Sequence, residues 1–548
     1  MEIRKDNIVD NFHGTLVADP YRWLEGTDPE VERWVDRQHE RLEQFFVESD
    51  HRSELKERLT ELWDYPRMYT PRKIGPWYFY QKNSGLQNQP VLYRQRGLEG
   101  APEEVLDPNL WSSDGTIALS NYSVADGARY LAYTVSESGS DRQEIRIYDL
   151  EKKEDLNEVI KWCRFTNMAW LNDEGFYYRR YPEPGTVAPE DEVNYSQVYW
   201  HKRGTSQEAD RLVFDLPEEK ELGFYPFLTS DQSYLLIHVT CGTEPRNGLY
   251  YKKIGAGEPV VRLLEPGEAS YEFLGSEGSI FYFFTDFAAP RGRIIAIDVD
   301  NPGRENWKEI IAEQDEVISR GRYVDGQFVL SLMHNAHSVL RIYGQDGKLQ
   351  TEVPLPTMGF IEDMSGRQEQ TEFFISFASF LYPAVIFRYD METGSLTTFG
   401  EQELKFDPSK YETSQVFYPS KDGTQVSMYL VHRKGLILDG NNPCLLYGYG
   451  GFNIAVTPSF SASRILWLEL GGVYAVANLR GGSEYGDTWH RDGMLEKKQN
   501  VFDDFIAAAE WLIANNYTRR EKLAIEGRSN GGLLVSACMT QRPDLYGA

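Results

Sequence analysis

Hydrophobic and polar positions fall into three successive patterns along the chain. In the first, apolar side chains recur at helical spacing: Val31, Trp34 and Val35 with Gln38, then Leu55, Leu59, Leu62 and Trp63. Asp28 is placed to cap the first helix, with Pro29 at its first position, where a missing N–H costs nothing. Residues 1–70 are expected to be helical and to pack against the last domain of the chain.

The second pattern, over residues 71–405, consists of short aromatic and β-branched runs separated by turns. Inner strands are expected to begin near Tyr78, Tyr130, Phe176, Tyr234, Ile280, Phe328 and Phe373, spaced 52, 46, 58, 46, 48 and 45 residues apart. Each is followed by an outer strand that alternates apolar and polar, starting at Val91, Ile145, Val198, Leu249, Ile294, Val339 and Val385. A repeat of about 45–50 residues with several strands in each unit predicts a β-propeller. Seven repeats predict seven blades. A large irregular β region is the alternative, and the near-even spacing favours the ring.

The third pattern, over residues 406–548, alternates strands and helices. Val416–Tyr418 and Val426–His432 flank the turn Lys421, Asp422 and Gly423, a hairpin signal. Strand-like runs from Cys444 and Val473 then lead into glycines. A helix follows, with Asn500 as its expected cap, Asp503 and Asp504 in its first turn, and an apolar stripe of Phe502, Phe505, Ile506, Ala509 and Leu512. A short strand, Leu523–Glu526, and a helix from Asn530 to about Met539 complete the pattern. This order predicts a doubly wound, mostly parallel α/β sheet.

Composition narrows the function. With 57 basic and 84 acidic residues the formal charge is -27, which repels phosphate backbones and anionic lipid, so no nucleic acid and no membrane surface is an expected partner. No apolar run reaches the ~18 residues of a membrane span. The four cysteines are scattered, which fits free thiols in a reducing compartment, and the cytoplasm is expected. His334 and His337 have no obvious third ligand, so no metal is expected.

The chemistry centres on Gly527, Arg528, Ser529, Asn530 and Gly531, a G-x-S-x-G turn between a short apolar strand and a helix-forming run. Ser529 is the candidate nucleophile. The amide of Asn530, at the helix N-terminus, is the expected first donor to an oxyanion. A second donor belongs in the glycine-rich loop YGYGGFN, where the Tyr449 hydroxyl is a candidate and simple aromatic packing is the alternative. The usual chain order places the base after the nucleophile, yet only 19 residues follow Ser529 and none is a histidine. His490 precedes the serine and reads as a packing residue beside Trp489.

Several stretches resemble the prolyl oligopeptidase family of cytosolic serine peptidases: DPYRWLE from Asp19, GLQNQPVLY from Gly85, LDPNLWSSDGT from Leu106, SESGSD from Ser136, YGYGGFN from Tyr447, ANLRGGSEYG from Ala477, KQNVFDDF from Lys498, and GRSNGGLL from Gly527. The resemblance covers essentially the whole chain. It implies a seven-bladed propeller covering an α/β-hydrolase domain, with Ser529 as nucleophile, Tyr449 and the Asn530 amide as the oxyanion hole, and Phe452 lining the pocket for a proline ring. It implies oligopeptide substrates cleaved after proline, no cofactor and a monomer.

Two departures follow from the same resemblance. The family's acid, its histidine and the tryptophan that stacks on the proline ring lie in sequence these residues do not include. Residues 1–548 alone are therefore expected to be an inactive piece of a longer protein, unstable in an incomplete hydrolase domain. Arg528 is similar to the related oligopeptidase B, which cuts after basic residues and ranks second. A non-catalytic propeller module with a dead hydrolase, and an esterase on the same turn, are readings of another class.

Overall fold

A computed structural model describes residues 3–47, 51–400 and 403–548. The chain forms two compact units, residues 1–61 and 62–548.

The first unit does not open on a helix, as its pattern predicts, but on a hairpin, Val9–Phe12 paired with Thr15–Ala18. His13 and Gly14 at the turn have φ of 51° and 92°, the doubly left-handed turn that matches strand twist. The Asn11 side chain accepts the Gly14 N–H at 2.7 Å and takes over part of what an Asn-Gly turn would signal. Helix α1, Pro29–Val47, follows, and Asp28 caps it by accepting the Glu30 N–H at 2.9 Å. Helix α2 runs Arg52–Trp63.

The second unit contains seven consecutive antiparallel sheets, at residues 67–106, 117–164, 168–214, 222–264, 271–311, 317–353 and 360–398. They are the seven expected blades. The strands expected to be innermost are in fact the second of each blade. Inside them lie first strands such as Ile117–Val124, Val317–Val324 and Phe360–Ser365, which the apolar pattern misses because polar residues interrupt them. First strands from several blades converge on cavities of about 300 and 340 Å³ along the axis.

Apolar clusters lie in the seams between neighbouring blades, for example Tyr234, Tyr271, Phe281 and Phe283 between the fourth and fifth. The last seam is thinner: Tyr78, Tyr80, Phe374 and Ile386. Among the described residues no strand is shared between the first and last blades, and side chains link the two. Buried Glu372 of the last blade accepts the Tyr78 hydroxyl at 2.7 Å and pairs with Lys73 of the first blade and Arg388 of its own.

A second device crosses the axis. The turn Gly366–Gln370 of the last blade bonds to five other blades. Gln370 Nε2 donates to Lys73 O at 2.9 Å and Arg367 pairs with Asp126 at 2.8 Å. Gln368 accepts Ser276 N–H at 3.1 Å and donates to Ser276 O at 2.6 Å, while its own carbonyl accepts Asp325 N–H at 3.0 Å. Glu369 accepts the Ser230 hydroxyl. This turn joins first and second strands, so it lies at the end of the ring opposite the hairpins that join second and third strands.

Those opposite hairpins meet the α/β part. Asn335 O accepts Gln415 Nε2 at 2.6 Å and the Tyr429 hydroxyl at 2.8 Å, and Pro290 O accepts Asp487 N–H at 2.8 Å. The α/β sheet has the order Tyr411–Pro419, Gln425–Arg433, Val473–Ala477, Cys444–Tyr447, Leu523–Glu526. The last three strands pair in parallel. Helix α3, Ala462–Glu469, packs on the face that bears Tyr474. On the face bearing Val473, Ala475 and Ala477 lie α5, Gln499–Ala514, and α6, Asn530–Gln541; the short α4 is Asp487–Arg491.

Candidate active site

Three parallel strands deliver their carboxyl ends to one edge, where open α/β sheets bind ligands. Cys444–Tyr447 ends in Gly448, Tyr449, Gly450 and Gly451. Val473–Ala477 ends in Asn478, Leu479, Arg480, Gly481 and Gly482. Leu523–Glu526 ends in the Ser529 turn.

Ser529 is exposed and precedes the first residue of α6, with φ 52° and ψ -117°. A serine there is strained by about 1–3 kcal/mol. Its neighbours must be small. A Cβ at position 527 would stand 2.1 Å from Gly531 O, and one at 531 would stand 2.9 Å from Gly448 O. The glycines thus allow strand, turn and helix to pass at backbone contact, and the serine hydroxyl projects from the bend.

The structure brings the Tyr449 loop against this turn. Asn530 Nδ2 donates to Tyr449 O at 2.6 Å, and a Cβ at Gly451 would be 2.5 Å from the same nitrogen. The Asn530 main-chain amide is among the first of α6, which have no acceptor within the helix. Phe452, on the same loop, has φ 54° and is 62% exposed. Among the described residues no hydrogen bond to the Ser529 hydroxyl is formed by a histidine. His490 Nδ1 sits 2.8 Å from Gly481 O and 3.1 Å from Asn453 N.

Buried electrostatics fix the loops. Arg480 meets fully buried Asp504 through its backbone N–H at 3.1 Å and its guanidinium at 2.6 Å, and also pairs with Asp422 at 2.5 Å. Burial opposes the Arg480 charge, but the two carboxylates outweigh it and raise its pKa. The Arg480 bond lowers Asp422 to about 2. Asp504 therefore does not serve the α5 dipole from the first turn, as its position in sequence suggests. It lies on the buried face with Val501, Phe505, Ala508 and Leu512 and needs a cation. Nor does Asn500 cap α5: the helix starts one residue earlier, and the Asn500 side chain donates to Asp492 O at 2.9 Å. Lys498 Nζ donates to Gly450 O at 2.6 Å, tying α5 to the tyrosine loop. The signal for the ion pair was in the sequence, as an acid inside an apolar stripe.

Comparison with known proteins settles the lineage. A family model described as "Prolyl oligopeptidase, N-terminal beta-propeller domain" matches residues 2–402, and one described as "Prolyl oligopeptidase family" matches residues 458–548. The chain belongs to the prolyl oligopeptidase family. It is a serine-type peptidase of that family. Over 99% of its length it is 38% identical to the prolyl endopeptidase of Elizabethkingia meningoseptica, 77% of which it covers. It is 33% identical to that of Dictyostelium discoideum, covering 81%. A solved structure from a study of two prolyl endopeptidases superimposes with TM-score 0.93 at 36% identity, over 100% of this chain and 81% of that one. Prolyl oligopeptidase B of Galerina marginata, bound to a 25mer macrocyclization substrate, gives 0.92 at 29% identity, over 99% of this chain and 80% of that one. No group of three or more His, Cys, Asp or Glu among the described residues is arranged to hold a metal, and no described helix is long and apolar enough to cross a membrane.

Proposed function

We propose that this protein is an endopeptidase that hydrolyses short peptides on the carboxyl side of proline through an acyl-enzyme on Ser529. The observation that carries the reading is the exposed serine on a strained turn, packed against the Tyr449 loop at the carboxyl ends of three parallel strands. Ser529 Oγ attacks the scissile carbonyl and gives up its proton to a base. The Asn530 amide and the Tyr449 hydroxyl stabilise the resulting oxyanion. The C–N bond then breaks, the leaving amine takes the proton, and water releases the acyl group. Phe452 supplies an apolar wall for the proline ring.

In this reading a base, held by an acid partner, takes the Ser529 proton. Peptides, rather than folded proteins, are the substrates because the ring of blades covers the α/β part. Cytoplasmic residence is supported by four cysteines without a disulfide.

The test uses the protein expressed from its natural reading frame and end-blocked reporter peptides with proline or arginine before the scissile bond. Turnover of the proline peptide is expected, with a fall on the order of 10⁶-fold in Ser529→Ala. Preference for arginine would assign the oligopeptidase B-like specificity instead. Undiminished turnover by Ser529→Ala would end the reading.

A further inference from the structure

The buried acids of the second unit almost all face a cation: Asp504 meets Arg480, Glu372 meets Lys73 and Arg388, and Asp210 meets His201. Glu484 does not. It follows Gly481 and Gly482 in the loop after strand Val473–Ala477 and is 1% exposed. Its Oε1 accepts the Val456 N–H at 2.8 Å, while Oε2 is buried without a partner. A Cβ at Gly482 would stand 2.1 Å from Oε2 and 2.8 Å from Ile454 O, so glycine there makes the socket that lets the carboxyl lie against the loop.

That loop carries the proposed substrate groups. Gly450–Val456 continues directly from Tyr449 and contains Phe452. It is held at both ends by the segment from Asn478 to Lys498: Asn453 N–H donates to Gly481 O at 3.1 Å, Asn478 Nδ2 to Val456 O at 2.6 Å, and Lys498 Nζ to Gly450 O at 2.6 Å. Glu484 is the one titratable carboxyl among these ties.

We propose that Glu484 is a positioning residue for peptide hydrolysis: its neutral carboxyl props the Gly450–Val456 segment, and with it Tyr449 and Phe452, in the substrate-binding arrangement, and a negative charge on it loosens that segment. The inference rests on the reading of the Tyr449 loop given above.

No cation meets the charge: the Val456 N–H, the main-chain N–H of Glu484 and the Asn478 side chain favour it, and burial outweighs them. The titratable groups that face Glu484 are the phenols of Tyr429, on Gln425–Arg433, and Tyr485, on its own loop; burial raises both, Tyr485 to about 12, so both stay neutral. From α4, His490 addresses Gly481 O and Asn453 N–H. Arg480 is committed to Asp504 and Asp422, and Lys498 to Gly450 O. Burial accordingly pushes Glu484 up to about 7. With the segment loosened and the carboxyl in water, the group titrates near the ordinary ~4.3. The propped arrangement therefore binds the extra proton: it is favoured at low pH, weakens as pH rises from that ordinary value, and reaches a plateau above about 7.

The experiment compares wild type with Glu484→Gln, in the protein expressed from its natural reading frame, using an uncharged end-blocked proline peptide. Titration of the catalytic base is common to both and cancels in the ratio. The ratio of kcat/KM, variant over wild type, is expected to rise at least ~fivefold between pH 5 and pH 8 and then level off. A ratio flat within about twofold overturns the proposal, since loss of a merely structural residue gives no such slope. Should Glu484→Gln fail to fold, Kd for the same peptide is measured with the Ser529→Ala protein, where no chemistry occurs. Weakening by at least ~fivefold over the same pH range is expected, and a pH-independent Kd overturns the proposal. A flat ratio together with loss of turnover in Ser529→Ala refutes the role of Glu484 alone; persistent turnover in Ser529→Ala refutes the underlying reading.

Discussion

At Ser529 the backbone sits at φ 52°, where a side chain is crowded by its own chain. Replacing the side chain separates its chemical use from its conformational cost. Ser529→Ala removes the hydroxyl and keeps the crowding. Ser529→Gly removes both, though glycine is also freer in the unfolded chain. Ser529→Gly is expected to be more stable than Ser529→Ala by about 1 kcal/mol, with no turnover in either. Urea denaturation of the two variants checks this, and equal midpoints would remove strain from the account. The flanking glycines have no such latitude: 527 and 531 face backbone carbonyls, which cannot move aside as a flexible side chain would.

At the scale of elements, the seam between the second and third blades holds a charged cluster. His201 is fully buried, with Nδ1 2.7 Å from Asp210 Oδ1 and Nε2 3.0 Å from Glu158 Oε2. Burial disfavours its charge, but the two carboxylates outweigh burial and raise it to about 9. The folded state thus holds the proton more tightly than the unfolded chain, where histidine titrates near ~6.5. Its stabilisation is complete below that value and is lost as pH rises through about 9. Wild type is expected to lose on the order of 3 kcal/mol from this group between pH 6.5 and 9.5, and His201→Gln to lack that loss. Guanidinium denaturation at the two pH values measures the difference. This cluster was not legible in the sequence, since Glu158 lies on a strand of the second blade, His201 on a strand of the third and Asp210 in the turn before the next strand, and only the fold brings them together. The middle strands of each blade were legible because their apolar runs are continuous. The first strands were not, since the axis they line takes polar side chains. The Ser529 turn was legible because its glycines are imposed by contacts within a few residues, whereas Glu484 is defined by a loop almost thirty positions away in the chain, at Val456.

For the whole molecule, the question is how seven blades stay closed when, among the described residues, first and last share no strand. Glu372 and the thin apolar seam hold the rim, and Gly366–Gln370 holds the axis. Gln368→Ala removes two hydrogen bonds to Ser276, worth about 1–3 kcal/mol together. Faster hydrogen exchange is expected in Trp77–Asn83 and Glu372–Ala378, the facing strands of the last seam, with little change in the third and fourth blades. Uniform acceleration in all seven blades would mean that the turn does not act on closure.

The crossing turn also bears on traffic. Five blades are stitched across the axis at the end remote from Ser529, so a peptide substrate of the proposed kind would meet this turn on that side. On the proposed function the other approach to the serine would be from the flank, where the ring's hairpins at Pro290 and Asn335 rest on the α/β sheet. By that approach the largest guest would be set by how far those two parts can separate, rather than by the width of a hole.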